Sequence, residues 1–118
     1  MKKSDKKLDK ALREALTKVC DHLLGEVEGF VWLTHVVDFN RYPQSLKIVC
    51  VFEKEADVAE LLSTQGDVLF YQCIEDELKG ANLVIKNSRQ SVSFDSEEAC
   101  ERSHKGRWNL RLKGIELH

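Results

Sequence analysis

With one proline and six glycines in 118 residues, the chain has no flexible low-complexity linker, and no internal repeat divides it. No apolar run approaches the roughly 20 residues that cross a bilayer. The basic N-terminus, MKKSDKKLDK, lacks the apolar core of a signal peptide. These absences predict a cytoplasmic protein with no membrane partner. The four cysteines, Cys20, Cys50, Cys73 and Cys100, never form a Cys-x2-Cys pair. In a reducing compartment they are expected as thiols rather than a disulfide framework. The scattered glycines exclude a phosphate-binding loop and a dinucleotide fingerprint, both of which need clustered glycines so that backbone amides can reach phosphate. There is no Gly-x-Ser-x-Gly elbow for a serine hydrolase.

Hydrophobic residues make up 42% of the chain and charged residues 32%. That mixture is globular, and the length suits one α+β domain over 1–118. The net charge of −2 excludes the bulk signature of a nucleic-acid binder, but the charge is unevenly spread. Residues 1–18 carry seven Lys/Arg against three Asp/Glu, and residues 53–79 carry eight acids against two bases. Residues 102–113 hold five cations and no acid. Such blocks mark faces of opposite sign or, more plainly, solvated surface.

Leu8, Leu12, Leu16, Val19 and Leu23 recur at helical steps, predicting a first helix capped by Ser4 or Asp5 and stopped at Gly25. Residues 29–37 (GFVWLTHVV) read as a strand covered on both faces, with Trp32 buried. Residues 45–53 (SLKIVCVFE) read as its antiparallel partner, because the connection is too short for a parallel crossover. The stretch 55–80 reads as helix broken near Gly66, with Leu69, Phe70, Cys73, Ile74 and Leu78 as its apolar stripe. Glu75, Asp76 and Glu77 lie where the helix dipole disfavours negative charge. Residues 83–86 and 91–94 read as short strands. A helix over 95–104 is expected to open with an Asp95/Glu98 capping box. Trp108, Leu110 and Leu112 alternate as in an edge strand or docked tail. The order is α-β-β-α(α)-β-β-α: a small, mostly antiparallel sheet with helices packed on it.

Chemistry-bearing constellations are sparse. Cys100 and His104 stand four apart on a predicted helix, but no second pair joins them, so no metal and no cofactor is expected. Cys50 and His35 fall on adjacent strands, but their apolar neighbours favour packing over nucleophilic catalysis, and no catalytic residue is assigned. Asp38 and Glu53 stand at strand ends without the companion residues of a nuclease site. The strongest functional hint is C-terminal. Arg102, Lys105, Arg107, Arg111 and Lys113 surround Trp108, offering cations for phosphates and an indole for stacking, although Trp108 also fits an apolar stripe buried on the sheet.

The segments GFVWLTHVVDF at 29–39, SLKIVCVFE at 45–53 and VSFDSEEAC at 92–100, followed by Trp108, resemble a group of small bacterial proteins of unassigned function. Some of these carry the label of Fis-type transcriptional regulators. Fis is all helical and ends in a helix-turn-helix, whereas strands follow the first helix here, so no DNA-contacting residue is carried over. The resemblance implies a bacterial cytoplasmic protein.

The leading expectation is therefore a non-enzymatic binding module for nucleic acid or ribonucleoprotein, acting through the basic terminal segments. The alternative is a protein–protein adaptor or homodimer that presents the acidic region 53–79 to a basic partner. An enzyme ranks third. An exposed Trp108 beside a continuous positive surface would favour nucleic acid. An apolar patch or self-complementary edge would favour assembly.

Overall fold

The computed structural model describes residues 2–113. Helix α1 spans Lys3–Leu23, and strand β1 (Phe30–Val36) leads through a 3-10 turn at Phe39–Arg41 into β2 (Lys47–Phe52). Helices α2 (Glu55–Ser63) and α3 (Asp67–Gly80) follow, then the single turn α4 (Ser88–Ser91), β3 (Val92–Ser96), α5 (Glu97–His104) and α6 (Trp108–Lys113). The fold is α+β, but the sheet is mixed. β1 pairs antiparallel with β2, whereas β2 pairs parallel with β3 across the α2–α3–α4 crossover, in the order β1-β2-β3. A long helical connection is what a parallel neighbour needs.

The order makes β2, not β1, the central strand. Ile48 to Phe52 are all buried, while β1 is an edge strand whose Trp32 is only half-buried. Alternation along β2 feeds two layers. Leu46, Ile48, Cys50 and Phe52 enter the main core with Leu12, Leu16 and Val19 of α1 and Phe70, Ile74 and Leu78 of α3. Phe70 is its hub, meeting Phe30 edge-on at 5.1 Å and Phe94 at 5.4 Å between centroids. Val49 and Val51 are buried on the opposite face, outside that cluster, as are Ala99 and Cys100 of α5.

Several local expectations change. Residues 83–86 form no strand: Leu83 and Ile85 pack against the core, and the Tyr42 hydroxyl donates to the Val84 carbonyl (2.6 Å) and accepts from its N–H (3.1 Å). A side chain thus replaces a neighbouring strand. The 108–112 alternation is helical: Trp108, Arg111 and Leu112, three and four apart, turn inward, and Leu110 is exposed. The α5 cap is Ser96, whose Oγ accepts from the Ala99 N–H, while the Glu98 carboxylate accepts from the Glu55 N–H at the start of α2. Helix α1 starts without a side-chain cap, but its stop falls as expected, with Leu24 as C-cap and Gly25 after it at φ 82°. The break between α2 and α3 falls at Gly66, where a Cβ would stand 2.7 Å from a Leu61 methyl. Leu69 leaves the α3 stripe and is 51% exposed. The acids at the end of α3 each find a donor: Ser88 Oγ for Glu75 (2.9 Å), Gln72 for Asp76 (2.9 Å) and His22 of α1 for Glu77 (3.2 Å). Those contacts offset the unfavourable helix end.

Candidate functional site

Two surfaces carry the chemistry that the sequence singles out. The first is built by α5 and α6 on the sheet face opposite the main core. Lys105 and Gly106 adopt positive φ (53° and 78°), which reverses the chain so that α6 folds back toward α5. Trp108 then meets Trp32 of β1 edge-on, 4.8 Å between centroids at 82°. The Glu97 carboxylate accepts from both indoles, one oxygen from Trp32 Nε1 and the other from Trp108 Nε1 (3.0 Å). Arg111 grips Asp95 with two nitrogens, at 2.6 and 2.9 Å, and reaches His104 Nδ1 at 3.3 Å. Guanidinium cannot accept, so His104 Nδ1 is the acceptor and its proton sits on Nε2. Arg102 makes a second bidentate pair with Glu55, both contacts 2.6 Å, which holds the Glu55 carboxyl below its ordinary range.

The expected positive face is therefore largely engaged. Of the six C-terminal candidates, Arg102, Trp108 and Arg111 have carboxylate partners within the chain. Lys105, Arg107 and Lys113 make no ion pair among the described residues. A groove of about 350 Å³ lies along β3, between Val58, Ala59 and Leu62 of α2 and Ala99 and Arg111.

The second surface was visible in the sequence only as an acidic run. Where α2 and α3 meet the lead-in to β1, a notch of about 260 Å³ opens. Val27, Leu61 and Leu69 give it an apolar lining, and Glu26, Glu28, Asp57 and Glu60 stand around it. Asp57 is fixed by the Lys54 N–H at 3.0 Å. The positive φ of Gly29 (83°) brings its backbone so close to Asp57 that a Cβ would lie 2.4 Å from the carboxyl carbon. Leu69 in the notch and its neighbour Val68 leave about half of their surface in water. The signal that could have located this surface is leucine and valine at positions the helical stripe does not need.

The enzyme candidates are not assembled. His35 Nε2 pairs with Asp9 of α1 at 3.3 Å, and in the strand register Cys50 lies opposite Leu33. Burial pushes the Cys50 thiol far up, disfavouring the nucleophilic thiolate. Asp38 accepts from the Asn40 N–H as a turn cap. Among the described residues no group of three or more His, Cys, Asp or Glu is placed to hold a metal ion, and none of the helices is long and apolar enough to cross a membrane. No family model, curated protein or solved structure matches this chain.

Proposed function

We propose that the chain is a non-enzymatic protein-binding adaptor whose α2–α3 notch receives a basic partner segment bearing an apolar side chain. The observation that carries this reading is the coincidence of Val27, Leu61 and Leu69 in an open notch with four acids around it. Apolar contact supplies affinity at the centre, while like-signed charge around it selects the partner and speeds encounter. The test is titration of a labelled synthetic peptide of lysine and leucine, beside a glutamate–leucine control. Expected is saturable binding of the basic peptide alone, weakened at least about tenfold by Glu26→Lys with Glu60→Lys and by added salt. Equal binding of both peptides, or none at low salt, removes this reading.

A second reading, nucleic-acid or ribonucleoprotein binding, is favoured by Lys105, Arg107 and Lys113, which are exposed and without acid partners among the described residues. Its test titrates short single- and double-stranded DNA and RNA at two salt concentrations. Replacing those three cations, with Arg111 left on Asp95, should weaken binding and flatten the salt slope. Absence of binding at low salt removes the second reading and leaves the first untouched.

A further inference from the structure

Where β2 and β3 begin, the sheet carries a cleft of a different kind from the acidic notch. The two strands run parallel, with Ile48 beside Val92, so the residues just before them, Lys47 and Ser91, are neighbours. Alternation along β2 turns Lys47 to the face opposite Ile48, away from the main core. Around this pair opens a cleft of about 370 Å³, lined by Gln44, Lys47, Lys86, Asn87, Gln90 and Ser91. All six are polar, none is acidic and none is aromatic. Its walls are tied together within the chain. The Tyr42 hydroxyl, bonded to both the carbonyl and the N–H of Val84, joins the turn that carries Gln44 to the segment that carries Lys86. Ser45 Oγ closes the same turn, donating to the Asp38 carbonyl and accepting from its N–H. Asn87 Oδ1 accepts from the Arg89 N–H, which leaves the amide nitrogen of Asn87 to donate elsewhere.

We propose that this cleft binds a small phosphate monoester that also carries hydroxyl groups, the chemistry of a sugar phosphate. The charges around it select an anion. Arg89 is taken up over the Tyr71 ring, 4.9 Å from its centroid, and Glu75, the carboxylate that reaches α4, is engaged by Ser88 Oγ. Lys47 and Lys86 have no acid partner among the described residues. Two ammonium groups therefore line one cleft with no carboxylate in it, which matches the charge of nearly −2 on a phosphate monoester at neutral pH. The carboxamides of Gln44, Asn87 and Gln90 and the Ser91 hydroxyl both donate and accept, as the hydroxyls of a polyol do. The cleft falls within the size range of small-molecule sites. It offers no ring on which a nucleic-acid base could stack, so the polyol is favoured over a nucleotide.

Isothermal titration with glucose 6-phosphate, glucose, inorganic phosphate and a short single-stranded RNA tests this. Glucose 6-phosphate should saturate one site with a dissociation constant below about 1 mM. It should bind at least about tenfold more tightly than inorganic phosphate, and glucose should not bind, because charge and hydroxyls are both read. Lys47→Gln and Lys86→Gln should each weaken binding at least about tenfold. Both keep the side-chain stem, so the far-ultraviolet circular dichroism should stay constant. Lys105→Gln removes a charge outside the cleft and should leave the constant unchanged. No saturation by about 10 mM glucose 6-phosphate overturns the proposal. So does binding of glucose or inorganic phosphate as tight as that of the sugar phosphate, or a loss in Lys105→Gln as large as in the cleft variants. Tighter binding of the RNA through Lys47 and Lys86 overturns it in favour of a nucleic-acid backbone.

Discussion

The two faces of the sheet are built on different principles. One is closed by hydrocarbon: Phe30, Phe52, Phe70 and Phe94 meet edge-on or tilted, sealed by the leucines of α1 and α3. The other is closed by hydrogen bonds between groups that could have stayed in water: two indoles on one carboxylate, and one guanidinium on another. Burial on the first face is non-directional and scales with area, so it tolerates volume-conserving change. The second face depends on geometry, because a half-buried donor or acceptor without its partner is costly. Of the residues singled out as nucleic-acid contacts, Trp108 and Arg111 belong to this second face, where they fasten α6 to Glu97 and Asp95.

The largest expected effect separates the faces directly. Phe70 is completely buried at the meeting point of three other phenylalanine rings. Phe70→Ala should cost roughly 3–5 kcal/mol in denaturant unfolding. Trp108 is larger but only half-buried, and Trp108→Ala should cost about 2 kcal/mol, its share of area plus the edge-on ring contact. Equal losses would mean that α6 is part of the main core.

A smaller effect divides the two arginine pairs. Arg111 and Asp95 are 21% and 17% exposed at the side chain, while Arg102 and Glu55 are 61% and 47% exposed. Arg111→Met keeps the stem but leaves Asp95 as a half-buried carboxylate without its partner; the expected loss is about 1–3 kcal/mol. Arg102→Met should leave the thermal midpoint unchanged, since water replaces the lost partner. A clear destabilisation by Arg102→Met would make the second face a single cooperative network reaching across to α2.

The same contrast explains how much was legible. The hydrocarbon face reads well from the sequence because periodicity reports burial: the α1 stripe, the Ile48–Cys50–Phe52 alternation and Phe70–Ile74–Leu78 all fall where expected. Strand order does not follow from such patterns. β1 looks central because both its faces are apolar, yet β2 is the one strand it pairs with, and the parallel β2–β3 pairing depends on where the crossover lands. Short segments read worst. Trp108-x-Leu110-x-Leu112 satisfies a two-residue period, and only the Arg111–Asp95 and Trp108–Glu97 contacts select the helical alternative. Counting the cations of 102–113 gave the residues but not their engagement, because Glu55 and Asp95 reach Arg102 and Arg111 from other elements. The acidic notch was hidden because Val27, Leu61 and Leu69 come from three different segments.

The finest test of the comparison uses its two buried thiols. Burial raises both Cys50 and Cys100 above the ordinary value of 9.0, but Arg111 pulls Cys100 back while Cys20 pushes Cys50 further up. A raised folded-state pKa means that the unfolded chain ionises first. Above about pH 9 the unfolded state therefore holds fewer protons than the folded one, and stability falls as pH rises. Each such thiol contributes a slope of up to about 1.4 kcal/mol per pH unit. The stabilities of wild type and of the Cys50→Ala and Cys100→Ala variants are measured by denaturant unfolding between pH 8 and pH 10. Both variants should lose part of the wild-type alkaline slope, and Cys50→Ala should lose more, because no cation lies near Cys50 to favour its thiolate. An equal flattening would show that Arg111 is held too firmly by Asp95 to act on Cys100, and a larger flattening in Cys100→Ala would reverse the assignment of the drier face.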